Sequence, residues 1–283
     1  MKTRFARRAV RLACGASAAF LAFGAATSSH AQMGGNNPTM MQNSNQGEER
    51  LFVGTADTEA DRQQGSAYND FLKERDAAKK IKLGNDFLGK YPKSALAERV
   101  DVGMMDVYRA RQDWKDAYLW ADNALALEPD DVDVLSIVGW TIPHVYSPDD
   151  ANADQELDTA EKYAKHALEV MARMPKPSGM NDAQFVAAKS RRTFQAHSAL
   201  GLVYFRREDY ANSASELDLA TKGNPVRDQT DLFVLGVDLQ NLKRYSEAAD
   251  SFRACSEAPG PLQSQCKDNA TTASAQALAT QPK

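Results

Sequence analysis

Beyond residue 31, the groups able to do chemistry are few: the histidines His144, His166 and His197, the cysteines Cys255 and Cys266, and one acidic run near residue 150. In that run Asp150, Asn152, Asp154, Asp158 and Glu161 fall at positions 1, 3, 5, 9 and 12 of a calcium-loop spacing, with the apolar Leu157 at position 8. Position 6 of such a loop is a glycine that makes its tight turn, and here it is Gln155. The competing reading is an acidic helix start, in which carboxylates stabilise the positive N-terminal end of a helix. Leu157 and Ala160 already fit a helical packing pattern, which favours that reading. None of the histidines belongs to a His-Glu-x-x-His motif, and the chain has no Gly-x-Ser-x-Gly or phosphate-binding Gly-Lys-Ser arrangement. Two cysteines with ten residues between them match no zinc spacing. The sequence thus points to no enzyme, no metal site and no cofactor.

Whether the cysteines pair depends on compartment. Residues 1–31 open with Lys2, Arg4, Arg7 and Arg8, continue in an apolar run from Leu12 to about Ala26, and end in Ser29-His30-Ala31. That is the layout of a secretory signal. The run is also shorter than the roughly 20 residues a membrane-spanning helix needs. Cleavage after Ala31 would give an exported protein, periplasmic or secreted, without a transmembrane segment. Cys14 leaves with the signal, and the remaining even pair in an oxidising compartment is expected to form a Cys255–Cys266 disulfide. The whole chain carries a net charge of −4, and without its first 31 residues it has 29 Lys and Arg against 38 Asp and Glu. A surplus of acid repels phosphate backbones, so no nucleic-acid partner is expected.

These residues need elements to hold them. Residues 32–63 are rich in Asn, Gln, Gly and Met and are expected to form a disordered leader. From 64 onward the pattern is helical, with short loops at Tyr91-Pro92, Glu128-Pro129, Ser147-Pro148, Pro175 to Gly179, Gly223-Asn224-Pro225 and Pro259-Gly260-Pro261. Internal repetition is the main signal. The series Tyr108, Trp114, Ala117, Ala124, Leu125, Pro129 is matched by Leu200, Gly201, Tyr204, Tyr210, Ala220, Pro225 and by Leu235, Gly236, Leu239, Tyr245, Ala248, Phe252. A further copy runs from Val138, Gly139 and Ile142 to Leu157, Ala160, Ala167 and Leu168. Taking Ala124, Ala167, Ala220 and Cys255 as equivalent gives spacings of 43, 53 and 35. The long second spacing is expected to extend the next helix, because Asn181 to Arg207 contains no Pro and no Gly except Gly201.

The chain resembles the tetratricopeptide repeat, a unit of 34 residues built as helix-turn-helix. The resemblance implies an all-α fold, a right-handed superhelix of antiparallel helix pairs, over residues 64–258, with residues 259–283 as a capping helix and tail. It also implies a concave groove lined by the first helix of each pair. Carried onto this sequence, the inward positions include Arg99, Asp106, Arg109, Trp140, His144, Leu202, Phe205, Arg206, Phe233, Val237 and Asn241. The family's clamp for a C-terminal carboxylate needs Lys and Asn where this chain has Val102, Asp106, Ser136, Trp140, Ser198, Leu202, Phe233 and Val237. That use is therefore not expected. The implied function is a non-enzymatic interaction module or scaffold in the cell envelope that takes a protein or peptide segment into an apolar groove. The alternative is a calcium-dependent or small-ligand-binding envelope protein. A second alternative concerns the groove itself, which the helix after Asn181 or the leader could fill from within the same chain.

Overall fold

The computed structural model describes residues 59–226 and 228–280, with side chains from residue 64 onward. The expected signal segment 1–31 and most of the expected leader lie outside the described residues. The described residues form helices and no strand: α1 Glu59–Lys73, α2 Ala77–Lys90, α3 Ala97–Ala110, α4 Trp114–Leu127, α5 Val132–Val145, α6 Ala153–Arg173, α7 Asp182–Arg206, α8 Tyr210–Thr221, α9 Gln229–Asn241, α10 Tyr245–Glu257 and α11 Gln263–Ala279. Each helix packs on its successor, α5 also meets α7, and α7 meets α9. This is an all-α helical-repeat solenoid in which α5, α7 and α9, the first helices of successive pairs, are neighbours. Helix α1 already begins at Glu59, so the last five residues assigned to a disordered leader are helical.

The expected extension is α7, a helix of 25 residues. It starts where a cap is available. Asn181 accepts the backbone N–H of Gln184, and the Gln184 side chain accepts that of Asn181, a reciprocal capping box that satisfies two of the otherwise orphaned first-turn donors. The acidic run is partly helical, because α6 begins at Ala153 with Asp154 and Glu156 in its first turn. Pro143 lies within the last turn of α5, which runs on to Val145.

Close helix crossing explains the small residues. A Cβ on Gly201 would lie 2.5 Å from Leu217 Cγ, and one on Gly236 would lie 2.6 Å from the Phe252 ring. Ala117, Ala124, Ala160, Ala167, Ala220, Ala248 and Cys255 are at most 2% exposed. The core consists of four apolar clusters along the stack, from that of Phe71, Phe87 and Met104 at one end to that of Phe252, Cys266 and Ala273 at the other. Three pairs share a turn that the sequence does not announce. Gln112, Glu208 and Lys243 have φ near 60°, the left-handed region, and each is followed by an N–H reaching back five residues, to the carbonyls of Tyr108, Tyr204 and Leu239. That is the Schellman closure of a helix end, made here without glycine.

The expected disulfide is present and ties α11 to α10. Cys255 and Cys266 are disulfide-bonded with Cα atoms 5.7 Å apart, and Cys266, Ala270 and Ala273 are the buried positions of α11. Closing so short a loop contributes about 2–3 kcal/mol. Gln229 adds a polar tie: its Nε2 donates to the carbonyls of Cys255 and Ala258 while its Oε1 accepts Leu262 N–H at 2.8 Å.

Ser213 stands where the repeat pattern has alanine, and its hydroxyl contacts the Gly201 carbonyl at 2.8 Å and Asp238 Oδ2 at 2.5 Å. A hydroxyl has one proton. Given to Asp238, it supports the carboxylate; given to the carbonyl, it leaves Ser213 as acceptor for a protonated Asp238. Burial does hold that carboxyl up, to a pKa of about 7, against the opposing pull of the Ser213 hydrogen bond. The unfolded chain releases this proton near its ordinary value of 3.8, so stability is greatest below that pH and falls until the folded group also titrates. Asp101, held up to about 7 by burial and then by the Glu98 carboxylate, adds to the fall. His144 works the other way: burial lowers its pKa, so it costs stability as pH drops below its ordinary 6.5. Asp238→Asn, which supplies a permanent donor to Ser213, should flatten the decline between pH 5 and pH 8 and melt higher than the parent at pH 8. Each ten-fold preference for the protonated form corresponds to about 1.4 kcal/mol.

Candidate functional site

The residues expected to line a groove lie on α3, α5, α7 and α9. Helix α5 has almost no exposed side, since every residue from Val132 to His144 is buried. Trp140 is 8% exposed and belongs to one apolar cluster with Val132, Leu135, Ala164, Ala196 and Leu200. Leu202 is 2% exposed and lies in the cluster of Leu217 and Phe252. Phe233, 8% exposed, meets Phe252 edge-on at 5.7 Å between centroids. These three were expected to line an open apolar groove, and they are instead core residues. The reason is geometric: a side chain at an inward position on a closely crossed helix also reaches the seam with its neighbour, and large apolar groups go there.

The remaining candidates differ. Arg109 is buried and its Nη2 donates to Asp106 Oδ1 at 3.1 Å, so those two expected groove residues are engaged with each other. Arg99 is half-buried. Phe205 and Val237 are half-buried and pack on the same cluster from adjacent first helices. Arg206 lies over the Tyr146 ring at 5.2 Å, and burial lowers its proton affinity. Asn241 is exposed, its amide donating to the Val237 carbonyl.

His144 sits among polar groups that sequence reasoning did not connect. Its Nδ1 donates to the Trp140 carbonyl at 2.8 Å, and its ring lies tilted by 34° against the indole with centroids 4.0 Å apart. Its Nε2 is buried and makes no hydrogen bond. Potential ligand atoms of His144, Asp228 and Asp231 all lie within 4.8 Å of one another. Asp228 caps α9, its Oδ1 accepting the N–H groups of Thr230 and Asp231, and Ser198 Oγ donates to Asp231 Oδ1 at 2.7 Å. Burial, and next the neighbouring Asp228, push the Asp231 carboxyl well above the usual carboxylate range, while the Ser198 bond opposes them. The three groups lie 84 and 3 residues apart, a spacing that no motif encodes.

The acidic run does not form a calcium loop. Its positions 4 to 12, Ala153 to Glu161, are helical. Asp158 is paired with Arg207, and Glu161 with Lys165 and Arg207. The other two histidines have carboxylate partners: His166 Nε2 lies 2.9 Å from Asp130, and His197 Nδ1 lies 2.7 Å from Glu216.

The fold thus defines an all-α helical-repeat protein. No protein-family model matches the sequence, and no curated protein matches it. A solved structure similar to it is that of BtubC (BKLC) from P. vanneervenii, 16% identical with a TM-score of 0.41, the likeness covering 80% of this chain and 95% of that one. Among the described residues no helix is long and apolar enough to cross a membrane.

Proposed function

We propose that the protein is an exported tetratricopeptide-type scaffold without catalytic activity, which holds a protein or peptide segment of a partner in the cell envelope. The supporting observation is the pairing of Phe205 and Val237 on adjacent first helices, both half-buried, with Arg206 and the exposed Asn241 beside them. This is a short apolar strip with a polar edge, and a helical or extended segment can bury an apolar side chain on it while its own polar groups meet Arg206 and Asn241. The strip is smaller than the groove the repeat frame implies, because Trp140, Leu202 and Phe233 are taken up by the core.

Aromatic anchors usually dominate such contacts. Phe205→Ala should therefore weaken capture of the partner from envelope extract ten-fold or more, about 1.4 kcal/mol, while the variant keeps its helical circular dichroism. Capture by Phe205→Ala and Val237→Ala equal to that of the parent would remove this strip as the docking surface.

A further inference from the structure

We propose that His144, Asp228 and Asp231 form a zinc site that staples α5 to α9 across the array. Three independent features of the cluster converge on a cation. The first is an unsatisfied lone pair. His144 is 8% exposed, and because Nδ1 is committed to the Trp140 carbonyl, the buried Nε2 without a hydrogen bond is the nitrogen left to coordinate. Metal-bound histidines show this arrangement, one ring nitrogen held by a carbonyl and the other on the metal.

The second feature is the pair of carboxylates, 7% and 2% exposed for Asp228 and Asp231, gathered with the imidazole inside 4.8 Å. A single ion with bonds of about 2.0–2.2 Å to nitrogen and oxygen spans ligands up to about 4.4 Å apart, so side-chain rotations of a few tenths of an ångström or more draw the three groups onto it. The third is orientation. Ser198 fixes one oxygen of Asp231 and two α9 amides fix one oxygen of Asp228, so each carboxylate is held as outer-shell partners hold metal ligands.

Charge identifies the kind of ion. Two buried carboxylates side by side are costly unless a proton or a cation intervenes. Arg206 acts on His144 through space, opposing its protonation, and makes no ion pair with either aspartate. A divalent ion bound at the three ligands neutralises both carboxylates. Imidazole with two carboxylates suits zinc among the common divalent metals, with a fourth position left for water. The staple would join residues 84 positions apart in sequence and hold the first helices of the second and fourth repeats in fixed register, independently of whether a peptide partner binds.

The test uses the whole exported chain, stripped with a chelator, desalted and titrated with zinc chloride. Bound metal is measured by atomic emission after gel filtration, and stability by thermal melting. One zinc per chain and a higher melting temperature are expected. Cobalt(II) should give the visible absorption of a four-coordinate nitrogen and oxygen site. His144→Gln and Asp231→Asn should each bind zinc at least ten-fold more weakly, whereas His166→Ala should bind like the parent. Circular dichroism checks that the variants fold, and cobalt absorption of the parent stands as a readout that needs no variant. Substoichiometric zinc with no cobalt band, or uptake that survives both His144→Gln and Asp231→Asn, would overturn the site.

Discussion

Arg192→Met should lower the stability of the protein by about 3–5 kcal/mol. Arg192 and Asp133 are 3% and 2% exposed, and Arg192 Nε donates to Asp133 Oδ1 at 2.8 Å. Arg192 Nη1 also donates to Gln195 Oε1. The bond joins α7 to the start of α5, where the long helix crosses the stack. Removing the guanidinium leaves a carboxylate in the core with its main charge partner gone, and that desolvation is the larger part of the loss. Taking both charges away should cost much less than the sum of the single changes. Arg192→Met with Asp133→Asn should therefore recover a substantial part of the deficit, as read by urea unfolding on all four proteins. Equal losses in the single and double variants would mean that packing of the arginine stem, not its charge, matters.

That pair also shows where sequence reading stops. The extra length of α7 is legible because a stretch without Pro, and without Gly except Gly201, announces a helix from local residues alone. The crossings at Gly201 and Gly236 and the stripe Cys266, Ala270, Ala273 are legible for the same reason, since periodicity states which side of a helix is buried. Periodicity does not state what it is buried against. Arg192 reads as an ordinary charge on a helix until α5 brings Asp133 to it. Likewise His144, Asp228 and Asp231 become a cluster only because α5 and α9 both lie beside α7. The left-handed residues Gln112, Glu208 and Lys243 are hidden by their types, for none of them is the Gly or Asn that usually marks such a turn. The misplaced groove residues have a related cause: an inward register position fixes a direction from the helix axis, and whether that direction ends in solvent depends on how closely the next helix approaches.

Trp140 is the place where this difference can be measured. Trp140→Ala should cost about 3–5 kcal/mol, the range for deleting a large aromatic from a packed interior, which is a large share of the 5–15 kcal/mol that typically holds a domain together. An exposed groove anchor would behave oppositely, costing little stability and much affinity. Phe205 supplies the contrast on the same molecule: half-buried, it should lose less stability than Trp140 and more capture. Metal uptake gives a third reading of the same substitution. Trp140 orients His144 through its backbone carbonyl, which alanine retains, and through its ring, tilted against the imidazole with centroids 4.0 Å apart, which alanine removes. The folded fraction of Trp140→Ala should therefore still bind zinc, more weakly than the parent but more tightly than His144→Gln. A Trp140→Ala protein that melts like the parent would show that the indole is not part of the core, and would return it to the docking surface.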